Sequence, residues 1–133
     1  MRTKSVLTSS DAQKMLAACK VEAQKNQWDV SIAIVDDNGN LFHLERMDGA
    51  PAMTAEVAAA KARTSALTRR PSKFMEDRVK DRPAFLNHPA GGLFVQGGVP
   101  LLHQGECVGA IGVSGVQSHE DEQIANAGAA ALG

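Results

Sequence analysis

The chain has no tyrosine, one tryptophan, four phenylalanines and two cysteines in 133 residues. Without tyrosine, no phenol is available as a metal ligand or catalytic acid. With so few rings, the core must be built from aliphatic and small side chains. Cys19 and Cys107 lie far apart and form no C-x-x-C motif, which argues against a redox or zinc motif and for two reduced, buried thiols. No block of like charge occurs and the formal net charge is −1, so neither nucleic acid nor an anionic membrane is the expected partner. The basic residues from Arg69 to Arg82 are interleaved with Glu76, Asp77 and Asp81, as on a solvated helix. No apolar run approaches the length needed to cross a bilayer. No apolar signal core follows Met1-Arg2-Thr3-Lys4, and a cytoplasmic location is expected.

What is present is ordinary for one globular domain spanning residues 1–133: 44% hydrophobic and 22% charged residues. Thr8-Ser9-Ser10-Asp11 offers N-caps, including a Ser10–Gln13 capping-box spacing, and Ala12, Met15, Leu16, Cys19 and Ala23 repeat at helical intervals. A helix over residues 9–26 follows. Val30 to Val35 reads as a strand, Asn38-Gly39 as a hairpin turn, and Leu41 to Arg46 as the returning strand. A second helix is expected over residues 52–69, closed by Pro71, with Ser72 capping a short third helix. Pro83 to Gly92 reads as irregular, followed by short strands at Leu93–Val95, Val99–Leu102 and Cys107–Val113. Ser118–Asp121 has capping-box spacing before a final helix. Hairpins among helices argue for an α+β fold with an antiparallel sheet. Val108 to Val113 is apolar or small on both faces and should be a central strand covered on both sides.

The most informative segment is Ala58-Ala59-Ala60-Lys61-Ala62-Arg63-Thr64-Ser65-Ala66. Alanine favours helix but buries little area, so such a helix must lie very close to its neighbour. Lys61 and Thr64 share a face. Turned inward, they would put a cation and a hydroxyl on a wall of methyl groups, as in a ligand pocket; turned outward, they would be solvated. Arg46 and Asp48, where the second strand ends, read either as a local turn or as a carboxylate clamp at the pocket mouth. Ser114-Gly115 precedes a helix N-terminus, where free N–H groups can hold an anion. Gly109-x-x-Gly112-x-x-Gly115 matches neither a dinucleotide fingerprint nor a P-loop. It reads instead as a strand that admits a helix at close range. His43, His88, His103 and His119 show no metal-ligand spacing, and no metal site is expected. A lone histidine could still serve as a haem ligand.

Arg46-Met47-Asp48-Gly49-Ala50-Pro51, Lys61 to Ala66, Arg70-Pro71-Ser72, Gly97 to Leu101, and Gly109 to Gly115 with Asp121 to Ala125 together resemble the GlcG/HbpS family. This is also called the haem-degrading domain family and includes the C-terminal domain of PduO-type proteins. The resemblance spans nearly the whole chain. It implies a profilin-like α/β/α fold, an antiparallel sheet of about five strands with helices on both faces, and homo-oligomers. For some members it implies haem or related tetrapyrrole binding, sometimes with haem breakdown. On the matching motif, Lys61 and Thr64 would lie at the pocket, Thr64 as a weak oxygen contact to iron and Lys61 or Arg46 as a propionate partner. The expected ligand set is therefore Arg46, Asp48, Lys61, Thr64, Ser114 and Gly115. The leading expectation is a cytoplasmic accessory protein that binds a small anionic or tetrapyrrole ligand between the alanine-rich helix and the sheet. The alternative is a catabolic isomerase, lyase or hydrolase acting on a small carboxylate, with a desolvated Lys61 as base or Schiff-base nucleophile. A third possibility is a structural oligomer in which the alanine helix packs against its copy.

Overall fold

A computed structural model describes all 133 residues. The elements run α1 (Ser9–Lys25), β1 (Ser31–Asp36), β2 (Leu41–Arg46), α2 (Met53–Thr68), α3 (Ser72–Asp81), a short 3-10 helix (Pro83–Asn87), β3 (Gly98–His103), β4 (Glu106–Ser114) and α4 (Ser118–Ala129). The four strands form one antiparallel sheet in the order β2-β1-β4-β3. The fold is α+β, with α1 and α4 on one face and α2 on the other.

The two faces are packed by different chemistry. Under α1 and α4, large side chains dominate: Met15, Ile32, Ile34, Leu101, Ile111, Val113 and Ile124 are essentially buried. Each such side chain contributes about 1.5–3 kcal/mol on burial. Under α2 the contacts are Ala58, Ala62 and Ala66 against Ala33, Val35 and Ala110. A buried methyl yields only about 0.8 kcal/mol, so the helix gains its contact by closeness. Gly112 makes this possible, since a Cβ there would run into the backbone of Ala58 and Ala62. The expectation for this glycine-rich strand therefore holds at Gly112. β4 is central and covered on both sides, as its composition implied.

Several expectations are corrected. Leu93–Val95 is not a strand, so the sheet has four strands rather than five. Side chains from α2 and α3 take over much of that segment's hydrogen bonding. The first helix is capped by Thr8 rather than Ser10: Thr8 Oγ1 accepts from Asp11 N–H at 3.2 Å, and Asp11 accepts from Thr8 N–H at 2.9 Å. In α4 the reciprocal spacing falls one residue earlier, with Gln117 N–H donating to Glu120 at 3.1 Å. Ser72 is not a cap. Its buried hydroxyl donates to Val95 O at 2.6 Å and accepts from Gly98 N–H at 2.8 Å. Cys19 is buried, whereas Cys107 is only partly so. The alanine face of α2 packs on its own sheet rather than on another copy. No helix is long and apolar enough to cross a membrane.

Candidate functional site

Lys61, Arg63 and Thr64 of α2 reach partners distant in sequence. Lys61, 2% exposed, donates to Val113 O at 3.1 Å and to Asp121 Oδ2 at 3.0 Å. It gets there past Gly97, where a Cβ would stand 2.8 Å from Lys61 Nζ and φ is +135°. Only glycine both adopts that backbone readily and leaves the opening. Lys61 thus links α2 on one face of the sheet to the start of α4 on the other. Burial raises the Asp121 carboxyl above its ordinary range, while the Lys61 charge and hydrogen bond and the Val116 N–H pull it down.

Thr64, also 2% exposed, pins the segment before β3. Its hydroxyl accepts from Leu93 N–H at 2.9 Å and lies 2.9 Å from Leu93 O and 3.2 Å from Ala60 O, which share its single proton. Arg63 donates to Ala90 O at 2.9 Å and to Gly39 O at 3.3 Å. The KART stretch therefore clamps residues 90–93, the hairpin turn and the end of β4. Between α2 and the sheet the packing is closed at Gly112, and the hydrogen-bonding groups of Lys61 and Thr64 are engaged within the chain. Ser65 is the exception: its buried hydroxyl has no partner.

Four other expected site residues gather at one end of the sheet. Ser31 pairs with Arg46 on one side and with Ser114 on the other, which aligns the three across β2, β1 and β4. Ser31 bonds Thr54 of the first turn of α2 at 2.9 Å. Arg46 and Asp48 line a cavity of about 230 Å³ together with Lys20, Asp29 and Glu45. Lys20 pairs with Glu45 at 2.8 Å, leaving Arg46 among carboxylates. Gly115 is exposed, its backbone lying against Asp29 and Val30. The anion anticipated at the start of α4 is supplied by the chain itself, because Val116 N–H donates to Asp121 Oδ1 at 3.1 Å and Gln117 N–H to Glu120.

Sequence reasoning missed a surface. The mixed-charge segment after α2 is exposed, as its charge pattern implied, and its arginines also lie over rings. The Arg70 guanidinium stacks on Phe74 at 4.2 Å, and Arg78 and Arg82 stand 5.3 and 5.1 Å from the centre of the Phe85 ring. Phe74 and Arg78, four apart within α3, share a face of that helix. His88 stacks on Phe94 with ring centres 4.4 Å apart, and one ring nitrogen accepts from Ala90 N–H at 3.3 Å. In the neutral ring the other nitrogen then carries the proton. Leu86, 65% exposed, lies on the same ridge. The Phe74-x-x-x-Arg78 spacing within the helix was the available signal.

Residues 7–130 match the family model described as haem degrading protein HbpS-like. Protein GlcG of Escherichia coli is 44% identical over 115 residues, 86% of this chain and 85% of its own length. An uncharacterized 15.0 kDa protein from the dhaT-dhaS intergenic region of Citrobacter freundii is 28% identical, covering 90% of this chain and 87% of its own. Among solved structures, HbpS superposes with a TM-score of 0.93 at 37% identity, over 100% of this chain and 94% of the other. The PduOC:heme complex superposes with a TM-score of 0.86 at 26% identity, over 96% and 95%. The chain belongs to the HbpS-like family, in which PduOC is a relative that binds haem.

Proposed function

We propose that this protein binds haem or a closely similar tetrapyrrole, as a cytoplasmic accessory protein assembled from several copies. The ligand lies on the ridge formed by α3, the 3-10 helix and residues 88–94. The ligand class follows from the family and from the haem-bound relative. The observation that carries the location is the threefold association of guanidinium groups with phenyl rings on that ridge. A flat apolar macrocycle with carboxylate arms needs ring-sized apolar contact and cations beside it. The ridge offers both, and the His88 N–H adds a donor.

The space first expected, between α2 and the sheet, does not fit such a group, because backbone meets backbone at Gly112. The cavity beside Arg46 and Asp48, about 230 Å³, is below the range that holds drug-sized ligands. Lys61 and Thr64 act as positioning residues: Thr64 and its neighbour Arg63 hold residues 90–93 against α2, and Lys61 holds the end of β4. Arg46, Asp48, Ser114 and Gly115 form a separate polar end of the sheet.

Titration with hemin, followed by the Soret band, tests this reading. Wild type should show a saturable shift. Arg78→Ala/Arg82→Ala should weaken it at least about tenfold, as expected for lost charge-assisted carboxylate contacts. Thr64→Ala should weaken it and Thr64→Ser should preserve it. Arg46→Ala should leave it unchanged. A flat titration in wild type removes the ligand class, and loss confined to Arg46→Ala moves the site to the end of the sheet.

A further inference from the structure

No residue from Lys73 to Gln96 is buried, although three of the four phenylalanines lie in that stretch. Outside the helix ladder its backbone bonds are local, running from Phe74, Arg82, Phe85 and His88 to acceptors three or four residues back. The first to reach another layer is Leu93 N–H, which donates to Ala60 O at 3.2 Å. Arg78 and Arg82 lie over Phe85, so these ring contacts are internal to the stretch as well. A segment with so few buried contacts opens at lower cost than the sheet.

Both ends of the stretch are pinned while its middle is loosely held. At one end Arg69, with φ at +60°, donates to Ala66 O at 2.7 Å and to Asp37 O at 2.6 Å. At the other, Gly91 and Gly92 have φ at +78° and +96°, between the Ala90 and Leu93 groups held by Arg63 and Thr64. In between, α3 is tied to the lead-in of β3 by two side chains. Ser72 donates to Val95 O and accepts from Gly98 N–H, and Glu76 Oε1 accepts from Gln96 N–H at 3.3 Å. Beside this latch lies the buried Ser65 hydroxyl, which has no partner. It stands 2.8 Å from the place a Gly98 Cβ would take.

We propose that residues 72–89 form a two-state flap, latched at Ser72, which opens and closes while the sheet stays folded. In the closed state Ser72 holds Val95 and Gly98, and Ser65 goes without a partner. In the open state Ser72 withdraws, and Ser65 rotates to accept the freed Gly98 N–H. A buried polar group left alone is costly, so satisfying Ser65 offsets part of the loss at Ser72 and keeps the two states close in free energy. The flap also regulates the ligand ridge, a step that rests on the hemin reading above. Phe74, Arg78, Arg82 and Phe85 ride on the flap, whereas Phe94 belongs to the segment that stays. A macrocycle lying across both binds only the closed state and therefore shifts the population toward it.

Native-state hydrogen exchange of the full chain tests the flap first without hemin. The α3 amides from Asp77 to Asp81 should exchange at least about a hundredfold faster than those of Ile34 and Ile111 in the sheet. Ser72→Ala should speed α3 exchange at least about tenfold and leave Ile34 and Ile111 unchanged, whereas Ser65→Ala should slow α3 exchange at least about threefold. Hemin at ten times its dissociation constant should slow α3 exchange about tenfold. Limited trypsin digestion of wild type needs no variant and should cut first at Lys73, Arg78, Lys80 or Arg82, which keeps the proposal testable should Ser72→Ala fold poorly. The flap is overturned by α3 amides as slow as the sheet, by Ser72→Ala speeding all amides alike, by Ser65→Ala leaving α3 exchange unchanged, or by a first tryptic cut in α1. A Soret shift with unchanged α3 exchange would overturn the coupling. A missing Soret shift fails the ligand reading alone, because exchange without hemin still decides the flap.

Discussion

The Lys61 ammonium stands 3.0 Å from the Asp121 carboxylate, and each side chain is 3% exposed. The pair lies where α2, the end of β4 and the beginning of α4 meet. The Asp121 carboxylate also holds Val116 N–H, so one buried group fixes the turn into α4 and the cation from the opposite layer.

Removing either partner strands the other without solvent. Lys61→Met or Asp121→Leu alone should destabilise the fold by about 3–5 kcal/mol, whereas the double variant should recover much of the loss. Urea unfolding of the three variants measures this, and additive losses would show that the two groups are not coupled.

The same carboxyl sets a pH dependence. Its folded-state pKa is raised by burial, so the folded protein holds that proton more tightly than the unfolded chain. The stabilisation is full below the ordinary carboxylate range and is lost as pH rises through the raised value. The stability of wild type relative to Asp121→Asn should therefore fall as pH is raised from about 4, the unperturbed Asp value. A difference that grows with pH would mean that the Lys61 charge outweighs desolvation.

Close contact between α2 and β4 is the next test. Gly112→Ala should cost about 3 kcal/mol, because the added methyl meets helix backbone that cannot rotate away. Gly105→Ala, with open space around it and φ at +81°, should cost only about 1–2 kcal/mol through backbone strain. Thermal melts of the two variants separate packing from conformation.

Thiol reactivity should divide the two cysteines. Burial pushes the Cys19 thiol up to about 12, so it is neither ionised nor reachable in the folded chain at pH 8. Cys107 is only partly buried and donates to Gly109 O at 3.2 Å. Native protein should take up one maleimide at Cys107, and Cys19 should react only in denaturant. Early labelling at Cys19 would show that α1 opens from the sheet.

Pattern and spacing were enough to locate the helices, the Asn38-Gly39 hairpin and the central place of β4. Each of these rests on interactions within a few residues or on the identity of one strand's side chains. The caps moved by one or two positions because overlapping Ser, Thr, Asp and Gln spacings compete there, and only the chain's entry angle selects among them.

The alanine-rich composition by itself determined that α2 would lie close to a neighbour. Only the tertiary structure decided what Lys61 and Thr64 do on that helix. Their partners, Asp121 and Leu93, lie 60 and 29 residues further along the chain, and a buried cation or hydroxyl looks the same in sequence whether it faces a ligand or a backbone. The arginines beyond α2 show the same limit: charge alternation implied an exposed helix, which it is, but not which guanidinium groups fold over phenyl rings.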